Sequence, residues 1–238
     1  MATFLLVHGA WHGAWCWEKT AAELEKAGHR VVTVDLPSHG NDKTPAHEVT
    51  LDSYAQAIAK AINAEKEKVV LVGHSMGGMA ISAAAELVPD RIQRLIYLAA
   101  FLPRDGESLL ALEERNPRPS VPPSLIIEEG SPTADVQPAK VRDLFYHDVA
   151  DQEFEAAKSK WTPQPLAPLA TPVKLTAERF GRVPKSYLEC TDDKAISVEL
   201  QRDMISKTKV DKVESLAASH SPFLSMPLDT ARALMRLI

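Results

Sequence analysis

The sequence predicts an α/β protein: a mostly parallel central sheet flanked by helices, with a helical insertion before its last strands. Two observations carry this expectation. Short apolar runs alternate with segments of helical period across residues 1–102, and the alternation returns across 182–238. The runs are also mostly apolar without strict alternation, as strands buried on both faces are, and parallel sheets are buried that way. A third observation bounds the size. With 238 residues, 45% of them apolar and 25% charged, the composition is ordinary for a globular chain with a sizeable core.

Taken in order, Thr3–Val7 (TFLLV) reads as a buried strand and 17–28 (WEKTAAELEKAG) as an amphipathic helix ended by Gly28. The next strand is 30–37 (RVVTVDLP), followed by a helix over 50–64 capped by Thr50 or Asp52. Residues 68–73 (KVVLVG) form a strand, 77–88 a helix of small residues stopped by Pro89, and 92–102 (IQRLIYLAAFL) another strand. Between 103 and 181 prolines crowd NPRPSVPPS and WTPQPLAPLATP around a helix-like stretch. Its apolar content is too patchy for a core of its own. Residues 103–181 therefore read as a cap packed over a core made of 1–102 and 182–238. Beyond it follow a strand at 185–190, a helix at 196–206, a short strand at 212–216 and a last helix from about Leu228.

Several function classes are set aside by composition. Net charge is −5 with both signs scattered, so there is no electrostatic footprint for nucleic acid. The opening MATFLLVHGAW lacks a basic leader and a long apolar run, so neither a signal peptide nor a membrane span is expected. Cys16 and Cys190 stand alone without metal-ligand spacing, which favours reduced thiols and a cytoplasmic location. A homodimer is left open.

The chemistry centres on VVLVGHSMGG at 69–78, where Gly73-His74-Ser75-Met76-Gly77 has the form G-x-S-x-G between a strand and a helix. A serine on so sharp a turn requires small neighbours on either side, which Gly73 and Gly77 supply. Ser75 is the candidate nucleophile. Its base must follow it in the chain, with an acid between them. Of eight histidines only His147 and His220 lie beyond Ser75. His147 falls in a helical pattern of the cap, where a surface or packing role fits, whereas His220 follows the last short strand and is the candidate base. Asp192 and Asp193 both leave the end of the 185–190 strand, and spacing alone does not separate them. Asp105, after the 92–102 strand, is a third position for the acid. An oxyanion hole needs two backbone N–H groups; Met76 and Ala10, the latter on the loop HGAWHGAWCW, are placed to supply them. His8 and His12 are four apart, but on a glycine-bearing loop without a third ligand, so no metal is expected. No cofactor is implied.

These motifs together resemble the α/β-hydrolases of the plant hydroxynitrile lyase and methyl-salicylate esterase family and their bacterial esterase relatives. The resemblance rests on LLVHGAWHGAWCW, VDLPSHG, VGHSMGG, YLECTDDKAI and SHSPF, and spans most of the chain. In that family the catalytic aspartate stands directly before Lys-Ala-Ile, which here selects Asp193. The lyases carry threonine and lysine where this chain has Gly9 and Ser221, so the resemblance implies an esterase of small-molecule carboxylic esters. HSPF resembles bacterial members that include hydrolases of bulky pyrethroid esters. Trp11, Phe145 and Trp161, with Gly9 and Ser221, are the substrate-binding candidates. A carbon–carbon lyase using the same three residues and a hydrolase-derived ligand receptor are the rival readings. Epoxide hydrolases and dehalogenases are excluded, because they carry aspartate where this chain has Ser75.

Overall fold

The computed structural model describes residues 1–238. Its strands are β1 (Thr3–Val7), β2 (Arg30–Val34), β3 (Val69–His74), β4 (Ile92–Leu98), β5 (Leu125–Ile126), β6 (Thr133–Val136), β7 (Gln164–Pro165), β8 (Lys185–Cys190) and β9 (Lys212–Leu216). Its helices are α1 (Glu18–Lys26), α2 (Leu51–Ala64), α3 (Gly77–Leu87), α4 (Leu109–Glu113), α5 (Pro138–Phe145), α6 (Asp151–Lys158), α7 (Ala167–Ala170), α8 (Val198–Ser206), α9 (Pro222–Ser225) and α10 (Pro227–Arg236). Six strands form one sheet in the order β2-β1-β3-β4-β8-β9, and every pairing in it is parallel. The expected α/β architecture is the observed one.

Strand alternation sorts the core into two clusters, one on each face of the sheet. Leu5, Val7, Val69, Leu71, Leu95 and Tyr97 join the face covered by α2, α3 and α8. Phe4, Leu6, Val70, Val72, Ile96 and Leu98 join the face covered by α1 and α10. The central strand β3 is buried at all six positions, whereas edge strand β2 is exposed or half-buried throughout. On α2, Leu51, Tyr54, Ala55, Ile58, Ala59 and Ile62 make one apolar stripe. Thr50 rather than Asp52 caps that helix: its side chain accepts from Ser53 N while the Ser53 hydroxyl accepts from Thr50 N. Cys16 and Cys190 are free thiols buried against the α1 face. No helix is long and apolar enough to cross a membrane.

Two strand ends and the make-up of residues 103–181 differ from the sequence reading. β2 stops at Val34 because the next residue, Asp35, turns to accept from Ala14 N (2.7 Å) and Asn41 N (3.0 Å), and Leu36 N donates to His8 Nε2. β4 stops at Leu98 because Ala99 adopts φ +41°, which bends the chain out of the ladder. Residues 103–181 are not wholly helical. They hold α4–α7 and also a small antiparallel sheet, β5-β6-β7, of short strands, the last of which ends at Pro165, a residue that cannot donate to a ladder. The helix-like stretch inside it divides into α5 and α6 around Tyr146–Ala150.

Candidate active site

All six strands of the main sheet run in the same direction, so their carboxyl ends share one edge, where α/β folds place ligands. β1 releases the 8–17 loop there, β3 releases Ser75, β8 releases Asp193 and β9 releases His220. Val7 is paired in register with Gly73, which sets the first loop directly beside the serine turn.

Ser75 sits at φ +54°, in the left-handed region that non-glycine residues avoid. That backbone lets β3 reverse directly into α3, and the reversal leaves no space for side chains beside it. A Cβ on Gly77 would lie 2.6 Å from the His8 carbonyl oxygen, and one on Gly9 would lie 2.8 Å from the Ser75 Cβ. The first loop thus packs directly on the turn. Its conformation is held by its own histidines. His8 Nδ1 donates to the Gly9 carbonyl (2.7 Å) and His12 Nδ1 to the Ala10 carbonyl (2.7 Å). The Gly9 carbonyl and the Ala10 N–H belong to one peptide plane, so the His8 bond also aims the Ala10 N–H. Both rings are neutral: burial above all pushes the His8 pKa well down and holds His12 at about 4. Tyr146 then donates its hydroxyl to His12 Nε2 at 2.6 Å.

The acid and the imidazole meet in the interior. His220 Nδ1 donates to Asp193 Oδ2 at 2.7 Å, and both residues are buried. Asp193 Oδ1 accepts from Ala195 N (2.7 Å) and Ile196 N (2.9 Å), so both carboxylate oxygens are engaged and the side chain is fixed. Asp192 is exposed, and its carbonyl accepts from His147 Nε2 at 2.9 Å. Asp105 is exposed as well and accepts from Leu175 N. His220 is tied to the serine turn through its carbonyl, which accepts from His74 Nε2 at 2.8 Å. No hydrogen bond closes between the Ser75 hydroxyl and His220. Burial, then the neighbouring rings of His220 and His12, keep His74 neutral.

Ser75, Ala10 and Met76 face one apolar cavity of about 50 Å³. The N–H groups of Ala10 and Met76 make no backbone hydrogen bond, although both residues are buried. Among the residues expected to touch substrate, Trp11 and Phe145 line this cavity. Trp161 instead stacks behind Trp11, with ring centres 5.5 Å apart and planes 7° apart, and donates to Asp135. Gly9 lies beneath the serine turn, and Ser221 is fully buried beside His220. Sequence reasoning missed Leu109, Leu169, Ile196 and Glu113 in the cavity wall. Glu113 stands four residues after Leu109, a helical spacing that could have placed its carboxyl on the inward face.

Four consecutive residues from the last residue of α5 onward, 145–148, fasten the 103–181 segment to the site. The Phe145 carbonyl accepts from the Ser219 hydroxyl, Tyr146 donates to His12, His147 donates to the Asp192 carbonyl, and Asp148 Oδ2 accepts from Ser219 N. Trp11 Nε1 to the Ala134 carbonyl (3.0 Å) and Thr162 N to the Trp11 carbonyl (3.1 Å) hold the other side.

A strained serine at a strand-to-helix turn, on the carboxyl edge of a parallel sheet with a carboxylate–imidazole pair beside it, defines the nucleophile-elbow class of α/β proteins. Comparison with known proteins agrees over nearly the whole chain. Residues 4–233 match the alpha/beta hydrolase family, and the protein belongs to that family. Methylesterase 7 of Arabidopsis thaliana is 32% identical over 98% of this chain and 95% of its own length. Polyneuridine aldehyde esterase of Rauvolfia serpentina is 31% identical over 98% of this chain and 94% of its own. The crystal structure of polyneuridine aldehyde esterase superposes with a TM-score of 0.88, covering 99% of this chain and 98% of that one at 29% identity. A pyrethroid hydrolase structure gives 0.87 at 27% identity, covering 99% and 96%.

Proposed function

We propose that this protein is a serine carboxylesterase working through an acyl-enzyme, with Ser75 as nucleophile, His220 as general base and acid, and Asp193 as the group that orients and stabilises the imidazolium. Ester hydrolysis is the activity its relatives carry in their names, and the protein is a carboxylic ester hydrolase. The observation that supports the detailed reading is the pair of unpartnered N–H groups, Ala10 and Met76, opening on the same cavity as Ser75. Buried N–H groups are almost always paired, and an anion that forms only during reaction is the partner this pair lacks.

With Asp193 on Nδ1, the nitrogen left to act on Ser75 is Nε2. As the Ser75 Oγ attacks the ester carbonyl, its proton passes to Nε2 and the carbonyl oxygen becomes the oxyanion held by Ala10 and Met76. Collapse of the intermediate breaks the carbon–oxygen bond, and the departing alkoxide takes the proton from Nε2 to leave as the alcohol. Water then gives a proton to Nε2 as it attacks the acyl carbon, and collapse of that intermediate breaks the bond to Ser75 Oγ, which takes the proton back from Nε2 as the acid leaves. Hydrogen bonds to a catalytic base are often open in the unliganded state and tighten on substrate. The 103–181 segment acts as the cap that excludes water and supplies the cavity wall. Twelve of the fifteen wall residues are apolar, which supports acceptance of apolar esters, with each buried methylene worth about 0.8 kcal/mol. The test is Ser75→Ala assayed on p-nitrophenyl butyrate. Turnover is expected to fall by about 10⁶-fold with folding intact. Turnover near the parent rate would overturn the mechanism.

A further inference from the structure

One residue breaks the apolar character of the cavity. Besides Ser75, Glu113 is the only wall residue with a polar side chain, and it is the only titratable one. It is 6% exposed. Its Oε1 accepts from Asn116 Nδ2 at 3.0 Å, and that amide is held in turn by Ser197 Oγ, which donates to Asn116 Oδ1 at 2.7 Å. The second carboxyl oxygen has no partner in the chain. Cations on the same stretch of chain are engaged elsewhere: Arg115 with Glu107 and Asp203, Arg118 with Glu199.

A carboxyl in such a place is costly unless something pairs with it. An amide would meet Asn116 equally well, so the anion-forming group is unexplained by the fold. What the cavity offers is a carboxyl group in a wall shared with the aromatic residues Trp11, Phe101 and Phe145, with no positive group in it. Carboxylate and aromatic faces together suit a cation. We propose that the cavity binds an ester carrying an ammonium group, and that Glu113 is the residue that receives it. This rests on the esterase reading and names the substrate class of that same site. Burial, with Asp193 nearby, raises the Glu113 pKa to about 7, against a lowering by Asn116; an arriving ammonium ion would favour the ionised form.

The experiment compares esters that differ only by an ammonium group in place of a terminal methyl: p-nitrophenyl 6-aminohexanoate against p-nitrophenyl heptanoate, and S-(6-aminohexyl) against S-heptyl thiobutyrate. The two pairs put the charge on the acyl or the leaving-group side. For the pair that reaches Glu113, Glu113→Gln is expected to lower kcat/KM for the ammonium ester at least about tenfold, a loss of roughly 1.4 kcal/mol, and to raise it for the methyl ester. Equal changes for both members of both pairs would overturn the proposal and make Glu113 a structural residue. A second measurement separates this result from failure of the esterase reading. Ser75→Ala is titrated with n-hexylammonium and with 1-hexanol, with and without Glu113→Gln. Tighter binding of the ammonium that Glu113→Gln abolishes supports the site even if no ester is turned over. Indifference to Glu113→Gln contradicts the site even if Ser75 is an active nucleophile.

Discussion

Asp192 and Asp193 are adjacent, equally acidic, and end the same strand, yet their surroundings separate them completely. Asp193 takes three hydrogen bonds at 2.9 Å or less, from His220, Ala195 and Ile196, while Asp192 faces solvent. A carboxylate so placed selects the imidazole tautomer and opposes its charge; an asparagine cannot do the second and can present the wrong atom for the first. On p-nitrophenyl butyrate, Asp193→Asn is expected to reduce kcat by about 10⁴-fold. Asp192→Asn should stay within about twofold, because its side chain faces solvent and makes no hydrogen bond to the site. The reverse ranking would move the acid to Asp192. Local pattern singled out the Ser75 turn because G-x-S-x-G has steric requirements that glycines advertise, and the structure has that turn. It left the acid open between two neighbours because a side chain's partner is a fact of tertiary structure; only the Lys-Ala-Ile that follows, through the family resemblance, favoured Asp193.

Elements buried on both faces were legible from one sequence because their apolar runs have no other stable use, and β1, β3 and β8 lie where those runs lie. The ends of β2 and β4 were not. Asp35 and Ala99 end them through distant hydrogen bonds and a left-handed turn that no local period encodes. Residues 103–181 were read as a cap for want of their own core, but their small sheet escaped notice because its strands are only two to four residues long. Residues 145–148 form one seam between that segment and the core, and Tyr146 lies within it. Its hydroxyl satisfies His12, whose other nitrogen holds the loop that carries Ala10. Tyr146→Phe leaves His12 Nε2 buried without a donor, at a cost of about 1–3 kcal/mol. Thermal unfolding should show a lowered midpoint with kcat reduced less than by Asp193→Asn. An unchanged midpoint would mean that the bond contributes nothing to the seam.

Across the whole molecule, two apolar clusters grip one parallel sheet, and Ser75, Asp193 and His220 lie at its carboxyl edge. The relatives that sequence comparison identifies as methylesterases and polyneuridine aldehyde esterase are plant proteins, so they lend no support to the bacterial affinity suggested by SHSPF; the pyrethroid hydrolase likeness is one of structure. Function at this scale carries a stability consequence. The folded-state pKa of Glu113 is raised from its ordinary 4.5 to about 7, so between those values the folded protein keeps a proton that the unfolded chain has lost. Its contribution is therefore fully present below pH 4.5 and lost as pH rises through about 7. Discounted for its opening onto the cavity, the loss is about 2 kcal/mol. Urea midpoints at about pH 5 and about pH 8 should differ more for the parent than for Glu113→Gln, which carries no such proton. Equal differences would mean that Glu113 ionises as an ordinary carboxyl.

The proposed chemistry requires a covalent bond at Ser75. Rapid mixing with p-nitrophenyl butyrate, followed by acid quench and peptide mass spectrometry, reads that bond directly. The prediction is a p-nitrophenol burst approaching one equivalent per chain under conditions where deacylation is slower than acylation, with the butyryl mass on the peptide that contains Ser75 and absent from Ser75→Ala. Hydrolysis at the parent rate with no acylated peptide, or with the butyryl group on another residue, would contradict it.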